Sequence, residues 1–185
     1  MTTRVLIPVA DGSADLDIAT LLDVLRRAGF DVLLASIEAR RMLTCERGMR
    51  ITADVMLLDV LAQPFDLVVL PGGAQGAERL GAHQPLAERV GRQAAAGEFF
   101  AGTGAAPALA LHAYGVLRMR RVTCDPAFSD HLGSATFVEQ PVVVDGNCVT
   151  AQGPGSALGF ALELVERLAG RAMRRSVAEG LGASV

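Results

Sequence analysis

The sequence predicts an α/β fold in which helices cover a mostly parallel sheet. Short apolar runs have the length of buried strands, and segments with apolar residues at helical spacing lie between them. Glycine and proline fall at the ends of these segments, where turns are needed. The chain has 185 residues, of which 51% are hydrophobic, so we expect residues 1–185 to form a single domain with a full core.

The first strands and the first helix follow one another directly in the sequence. Residues 4–10 form a continuous apolar run, and residues 16–28 then place apolar side chains at helical spacing. Residues 31–37 and 65–71 predict two further buried strands. Alternation of this kind is typical of parallel strands joined by helical crossovers.

The segment between these strands predicts a smaller addition to the sheet. Residues 42–54 are polar and turn around Gly48, which predicts a short hairpin. We expect a brief helix near 55–62. Farther along, residues 85–96 predict a surface helix with Leu86, Val90 and Ala94 toward the core and with Glu88, Arg89 and Arg92 on the opposite face.

Residues 98–109, EFFAGTGAAPAL, predict a strand, a sharp turn and the start of a helix that continues to about residue 114. This arrangement lifts a nucleophile above the sheet in many α/β enzymes, but here residue 104 is glycine. After it, residues 120–128 predict a strand that enters a turn, and residues 141–152 predict a hairpin around Asp-Gly. A helix over 155–170 and a further one over 171–181 complete the chain.

Composition excludes several classes of function. A net charge of −3 leaves no basic field for nucleic acid, and no apolar run approaches the length of a membrane span. We therefore expect a cytoplasmic protein. All 17 basic residues are arginine, which excludes Schiff-base lysine chemistry. The three cysteines lack CxxC spacing and the histidines lack metal-ligand spacing, so reduced thiols, no metal and no cofactor are expected.

Three loops converge where the predicted strands end, which is where ligands bind in open α/β sheets. The first loop contains Asp15 and Asp17, which could either stabilise the start of a helix or face a pocket. The second contains Gly72 and Gly73, whose amides could hold an oxyanion or could form an ordinary turn. The third is the turn at residues 103–106.

Motifs from end to end of the chain resemble those of the ThiJ/PfpI family. They are RVLIPVADGSADLD, DVLRRAGFDV, FDLVVLPGGAQGAERL, AAPALALHAYG, RVTCDP and VTAQGPGSALGFALELVERLAG. The resemblance implies a flavodoxin-like three-layer sandwich and a homodimer. It also implies a cysteine on the nucleophile elbow, an acidic residue from the first loop beside it, and often a histidine nearby.

Each implied role falls on a residue of this sequence, with two departures. The acidic partner falls on Asp17, while the elbow cysteine falls on Gly104 and the histidine on Asp125. The implied oxyanion donors are the amides of Gly72, Gly73 and Ala105. Two origins fit Gly104: divergence of the natural gene, or an introduced replacement of a cysteine.

The resemblance implies action on small reactive carbonyls such as methylglyoxal, in the manner of a glyoxalase or deglycase. Because Gly104 has no thiol, we expect this chain to be inactive in that chemistry. Two alternatives stay open. The protein is a non-catalytic dimer that binds a small carbonyl or anion or acts in a stress response, or else Asp17 acts as a general base without a thiol.

The remaining candidates have a structural and a functional interpretation each. Cys124 is either a buried structural thiol that faces away from the pocket or a replacement nucleophile. Cys45 either packs in the hairpin or is a surface or interface thiol, and Cys148 has no assigned role. His112 is expected to be structural, whereas His131 could approach the rim of the pocket.

Overall fold

The computed structural model describes residues 2–183 and contains a central sheet of seven strands with two small accessory sheets. The strands are β1 (Arg4–Val9), β2 (Asp31–Ser36), β3 (Met42–Thr44), β4 (Arg50–Thr52), β5 (Val55–Met56), β6 (Leu67–Leu70), β7 (Phe99–Thr103), β8 (Arg121–Val122), β9 (Thr136–Phe137), β10 (Val142–Asp145) and β11 (Cys148–Ala151). The central order is β10-β11-β7-β6-β1-β2-β5. Its pairs are parallel except for the hairpin of β10 and β11.

Helices cover both faces of this sheet. They are α1 (Asp15–Arg27), α2 (Ala74–Gly81), α3 (Gln84–Ala95) and α4 (Ala157–Gly180). Ile7 of β1 packs into the core that includes Ile18 of α1 and Phe160 of α4. The next residue back along β1, Leu6, packs into the opposite core with Leu80 of α2 and residues of α3. This alternation produces the three layers and confirms the predicted α/β sandwich.

Most predicted elements are present within one to three residues of their expected bounds, including both hairpins and the last two helical segments. Those two segments are the two parts of α4, and a kink at Gly170, where φ is 83°, separates them. The prediction of a helix near 55–62 is wrong. Val55 and Met56 instead extend the central sheet, and Leu57–Asp59 forms a single 3₁₀ turn. Pairing of Ala35 with Val55 explains this, because β2 would otherwise have an open edge.

Two further differences concern the second half of the chain. The strand expected over 120–128 is reduced to β8, which pairs with β9 outside the central sheet. The prediction that Arg89 lies on the exposed face of α3 is also wrong, because its side chain packs over the Phe65 ring and is only 6% exposed.

Within residues 2–183, no helix is both long enough and apolar enough to cross a bilayer. The same part of the chain holds no group of three or more histidine, cysteine, aspartate or glutamate side chains placed to bind a metal ion.

Candidate active site at the elbow

The turn after β7 has the backbone of a nucleophile elbow. Gly104 has a φ of 61°, and the helical segment that follows includes a short π-helix, Pro107–Leu111. The amide of Gly104 donates to the carbonyl of Ala151 at 3.0 Å, and its own carbonyl accepts from the amide of Asp125 at 2.9 Å. These two bonds hold the turn from both sides, so the elbow persists without a side chain.

A side chain at position 104 would stand beside Asp17. A Cβ built on Gly104 lies 3.2 Å from Cα of Gly72 and 3.9 Å from Oδ2 of Asp17. A thiol on that carbon would therefore come within reach of the carboxylate. The geometry leaves room for the pairing of thiol and acid that the resemblance implies, but the sulfur is missing.

Asp17 is almost completely buried beneath the elbow. The residue is 1% exposed, and its Oδ2 accepts the amide hydrogen of Gly72 at 2.9 Å. Within residues 2–183, no donor lies within hydrogen-bonding distance of Oδ1. Burial raises the pKa of Asp17 to about 6, against the lowering effect of the Gly72 hydrogen bond and with a small addition from the charge of Glu46.

The two glycines predicted as oxyanion donors, Gly72 and Gly73, have different surroundings in the loop after β6. The expectation for Gly72 is wrong, because its amide donates to Asp17 and is not available to a ligand. Gly73 has a φ of 88°, and any Cβ there would overlap the carbonyl oxygen of Gly12. Glycine is thus required where α2 begins against the first loop.

The amides of Gly73 and Ala105 both belong to residues of the pocket wall. Within the described part of the chain, neither amide donates to another backbone or side-chain group. They remain available as donors for an oxygen atom in the pocket. The oxyanion role of these two amides therefore stays a prediction.

Asp125 lies at the pocket, at the position where the resemblance implies a histidine. Its side chain accepts the amide hydrogen of Ala127 at 3.0 Å and caps the 3₁₀ segment Pro126–His131. A second lone-pair-bearing oxygen remains on the carboxylate for other contacts. Asp125 is consequently both a local cap and a polar wall residue.

A pocket of about 160 Å³ opens above the elbow. Asp17 and Gly72 do not line this pocket, because they lie beneath the turn. The lining residues are Ala14, Glu46, Arg47, Gly73, Ala74, Gly104, Ala105, Asp125, Phe128 and Pro154. A ligand in this space meets backbone amides, an acidic and a basic side chain from the hairpin, and an aromatic ring.

The family model for the DJ-1/PfpI family matches residues 3–167. The chain belongs to this family. Protein dj-1beta from Drosophila melanogaster is 34% identical over 183 residues, which cover 98% of this chain and 97% of that protein. The structure of oxidized DJ-1 from Toxoplasma gondii superposes with a TM-score of 0.97 at 32% identity and covers 100% of both chains.

Other DJ-1/PfpI proteins are similar over most of this chain. Protein DJ-1 homolog B from Arabidopsis thaliana is 41% identical over 171 residues, and a glutathione-independent glyoxalase from Caenorhabditis elegans is 33% identical over 168 residues. The match covers 88% of the glyoxalase. The chain spans only 39% of the length of DJ-1 homolog B and 43% of the length of a second Arabidopsis relative, Protein DJ-1 homolog A.

The three thiols of this DJ-1/PfpI chain are buried away from the pocket. Desolvation raises the pKa of Cys45 to about 11 and those of Cys124 and Cys148 to about 12. Cys124 is 0% exposed and packs in the core, although it follows β8 and does not lie in a strand. These environments favour the structural interpretation of each cysteine, because the thiolate is the nucleophilic form.

Asp15 has a different role from the expected helix cap. Ala14 is the N-cap residue of α1, and Asp15 instead accepts the amide hydrogens of Arg47 at 2.7 Å and Met49 at 2.8 Å. The carboxylate thereby fastens the β3–β4 hairpin, and this hairpin places Glu46 and Arg47 at the pocket. The sequence did not predict Glu46 and Arg47 as pocket residues. The available indication was their position in the predicted hairpin, next to Gly48.

His131 does not line the pocket. Its exposed ring lies 6.2 Å from the ring of Phe128, which does line the pocket. His131 therefore packs near a lining residue, and its own approach to the rim of the pocket stays a prediction. His112 approaches Gly133 so closely that a Cβ at 133 would overlap its ring, which agrees with a packing role.

Proposed function

We propose that this DJ-1/PfpI chain binds small carbonyl compounds or small anions reversibly in the elbow pocket and lacks thiol chemistry there. The observation that carries the proposal is the elbow itself: Gly104 keeps the left-handed backbone conformation beside an open pocket but has no nucleophile. Binding and covalent catalysis are thus separable at this site.

Binding is supported by two residues of the pocket wall whose amides are free to donate. The amides of Gly73 and Ala105 have no partner within the described residues, and Gly73 is the N-cap of α2. The start of a helix favours negative charge, and Arg47 lies in the pocket wall. A carbonyl or carboxylate oxygen placed here would replace water as the acceptor for these donors.

Catalysis by Asp17 alone is disfavoured by its position. The carboxylate is 1% exposed and lies under Gly72 and Gly104, so a ligand in the pocket does not touch it. A general base must be within hydrogen-bonding reach of the proton that it removes. In a parent with cysteine at 104, the thiol would connect the pocket to this carboxylate.

The cysteine-bearing parent is proposed to act on small reactive carbonyls such as methylglyoxal, as a glyoxalase or deglycase. The relative from Caenorhabditis elegans that carries the name glutathione-independent glyoxalase supports the substrate class. The thiolate would add to the aldehyde carbon, and Asp17 would accept and return the thiol proton. Without sulfur at 104, no such addition occurs.

The catalytic test compares methylglyoxal consumption by the wild-type chain and by Gly104→Cys, each with and without Asp17→Asn. We expect turnover only in Gly104→Cys, and a loss of about 100-fold or more when Asp17→Asn is added. Circular dichroism establishes that each variant is folded. Turnover by the wild-type chain at the rate of the cysteine variant would contradict the proposal.

A separate test measures binding without chemistry, with pyruvate as the probe in ligand-observed NMR. Ala74→Leu places a larger side chain in the pocket wall, whereas Ala82→Leu makes the same change at the exposed C-cap of the same helix. We expect Ala74→Leu to weaken pyruvate binding about tenfold or more and Ala82→Leu to leave it unchanged. Equal affinities in both variants would place binding elsewhere.

The assembly and setting are part of the same proposal. We propose that residues 1–185 act as a single domain in a cytoplasmic homodimer with a role in stress response. The interface would use α1 and the β3–β4 hairpin, where Leu16 and Met42 are 54% and 64% exposed. Three free cysteines fit a reducing compartment. A monomer mass from size-exclusion chromatography with light scattering would remove the dimer.

A further inference from the structure

A second cavity lies at the opposite edge of the sheet from the elbow. It has a volume of about 530 Å³ and opens beside the amino ends of β6 and β7. The residues that precede these strands form one side, and α3 forms the other. The lining residues are Leu61, Ala62, Gln63, Pro64, Arg89, Arg92, Ala96 and Glu98.

Arg89 is a buried cation in the wall of this cavity and has no counter-ion among residues 2–183. The residue is only 6% exposed, and its guanidinium carbon lies 5.9 Å from the centroid of the Phe65 ring. Across residues 2–183, its Nε has no hydrogen-bond acceptor, and no carboxylate lies within 4.0 Å of its guanidinium. Among the described residues, Glu98 is the one acidic residue of the cavity wall. It is exposed and lies farther than 4.0 Å from the guanidinium.

Arg4 packs on the same aromatic ring and shows what a satisfied guanidinium looks like in this chain. Its guanidinium carbon lies 4.9 Å from the Phe65 centroid. Its nitrogens donate to Asp31 at 3.2 Å, to the carbonyl of Pro64 at 3.0 Å and to Gln63 at 2.8 Å. Arg4 therefore has hydrogen bonds in addition to its aromatic contact, whereas the guanidinium of Arg89 has the aromatic contact but no hydrogen bond within the described residues.

Burial of an unpaired charge is unfavourable, and it lowers the pKa of Arg89 against the opposing charge of Glu98. The terminal nitrogens of the guanidinium have no acceptor within the described residues, and Arg92 adds a second positive charge to the same cavity. An oxyanion from solution would supply the missing acceptors, because guanidinium groups bind carboxylates and phosphates through two parallel hydrogen bonds.

We propose that this cavity is a binding site for a small organic oxyanion, a carboxylate or a phosphate ester, whose charged group pairs with Arg89 and Arg92. Leu61, Pro64 and Ala96 provide apolar contacts for the organic part of the ligand. The site is separate from the elbow, since α3 and the amino ends of the strands form it. It would bind its ligand whether or not the elbow pocket is occupied.

The test observes the Nε–H signals of arginine by NMR during titration of the wild-type chain with phenyl phosphate, benzoate or neutral benzyl alcohol. We expect an oxyanion to move the Arg89 signal and benzyl alcohol to leave it in place. Tighter binding of phenyl phosphate than of benzoate would identify a phosphate ester as the ligand class, and the reverse order would identify a carboxylate.

Variants separate this site from general charge effects. Arg89→Met should weaken oxyanion binding about tenfold or more, and Arg92→Gln should weaken it less. Arg118→Gln removes the same charge from an exposed position, and Ala74→Leu alters only the elbow pocket, so both should leave the affinity unchanged. An unmoved Arg89 signal at millimolar oxyanion, or equal weakening by Arg118→Gln, would overturn the proposal.

Discussion

Asp15 and Asp17 lie two residues apart in the first turn of α1, and they face two different regions. Asp15 is partly exposed and faces the β3–β4 hairpin, from which it accepts two amide hydrogens. Asp17 is buried and faces the elbow, where it accepts only one. Burial raises the pKa of Asp15, but these amides outweigh the effect and lower it overall, whereas burial raises the pKa of Asp17 to about 6.

The difference shows that local sequence does not decide the role of a carboxylate. Both residues lie in the first turn of the same helix, where its dipole favours a negative charge. One stabilises a hairpin, while the other is held in an environment that penalises its charge. An energetic cost of this kind is typical of functional positions, because it keeps an acid able to exchange protons near neutral pH.

The largest expected effect comes from Asp17→Asn, which removes the buried charge and keeps the shape. Below about pH 3 the carboxyl is protonated in both the folded and the unfolded chain. As the pH rises from 3.8 to about 6, the unfolded chain releases its proton first, so the free energy of unfolding falls by about 3 kcal/mol.

Asp17→Asn should therefore raise the free energy of unfolding at pH 7 by about 1 to 3 kcal/mol and should have little effect at pH 4. Urea unfolding of both proteins across this pH range measures the difference. Groups with lowered pKa values give an opposite slope in both proteins, so the comparison cancels them. A variant that is less stable than wild type at pH 7 would contradict the predicted cost of the Asp17 charge.

Asp15→Asn tests the contact with the hairpin and should change the free energy of unfolding in the opposite direction. Two hydrogen bonds to a carboxylate are weakened or lost, which should lower the free energy of unfolding by about 1 to 3 kcal/mol at pH 7. Because the pKa of Asp15 is lowered on folding, the advantage of wild type should shrink as the pH falls below 3.8. A loss that stays constant down to the acid transition would assign the effect to packing instead.

The smallest expected effect comes from replacing one glycine in each region, Gly104 at the elbow and Gly48 in the hairpin, by alanine. Gly104 and Gly48 both have positive φ angles, but a Cβ at 104 would lie 3.2 Å from Cα of Gly72, whereas nothing lies within 4 Å of a Cβ at 48. Alanine should cost about 1 kcal/mol at position 48 from backbone strain alone and about 1 kcal/mol more at position 104. Thermal unfolding of the two variants measures this, and equal losses would mean that the elbow has room to adjust.

Periodicity and turn residues were sufficient for the layers of the fold, because β1, α1 and β2 each bury a face that their own sequence defines. They failed at Val55, which joins the sheet through a partner strand that local sequence does not reveal. They failed again at Arg89, whose stem packs on Phe65. Long side chains can cover apolar surface, so a charged residue in a pattern does not establish an exposed face.

Prediction of the site depended on motifs for its positions and could not supply its contacts. Gly72 was expected to donate to a ligand, but Asp17, 55 residues earlier in the chain, accepts its amide hydrogen. Glu46 and Arg47 enter the pocket wall because their hairpin is tied to the first loop, both by Asp15 and by the backbone bond from Glu46 to the carbonyl of Ser13 at 3.0 Å. These are tertiary effects, and no local pattern encodes them.

The burial of all three thiols has a consequence for chemical durability. Peroxide attacks the thiolate, and the first product, a sulfenic acid, forms at accessible cysteines of low pKa. Cys45, Cys124 and Cys148 are each no more than 4% exposed, and the pKa of each is raised. None of the three cysteines of the folded chain should therefore gain oxygen under peroxide concentrations that oxidise an elbow cysteine. Because no cysteine lines the pocket, its affinity should be the same before and after such a challenge.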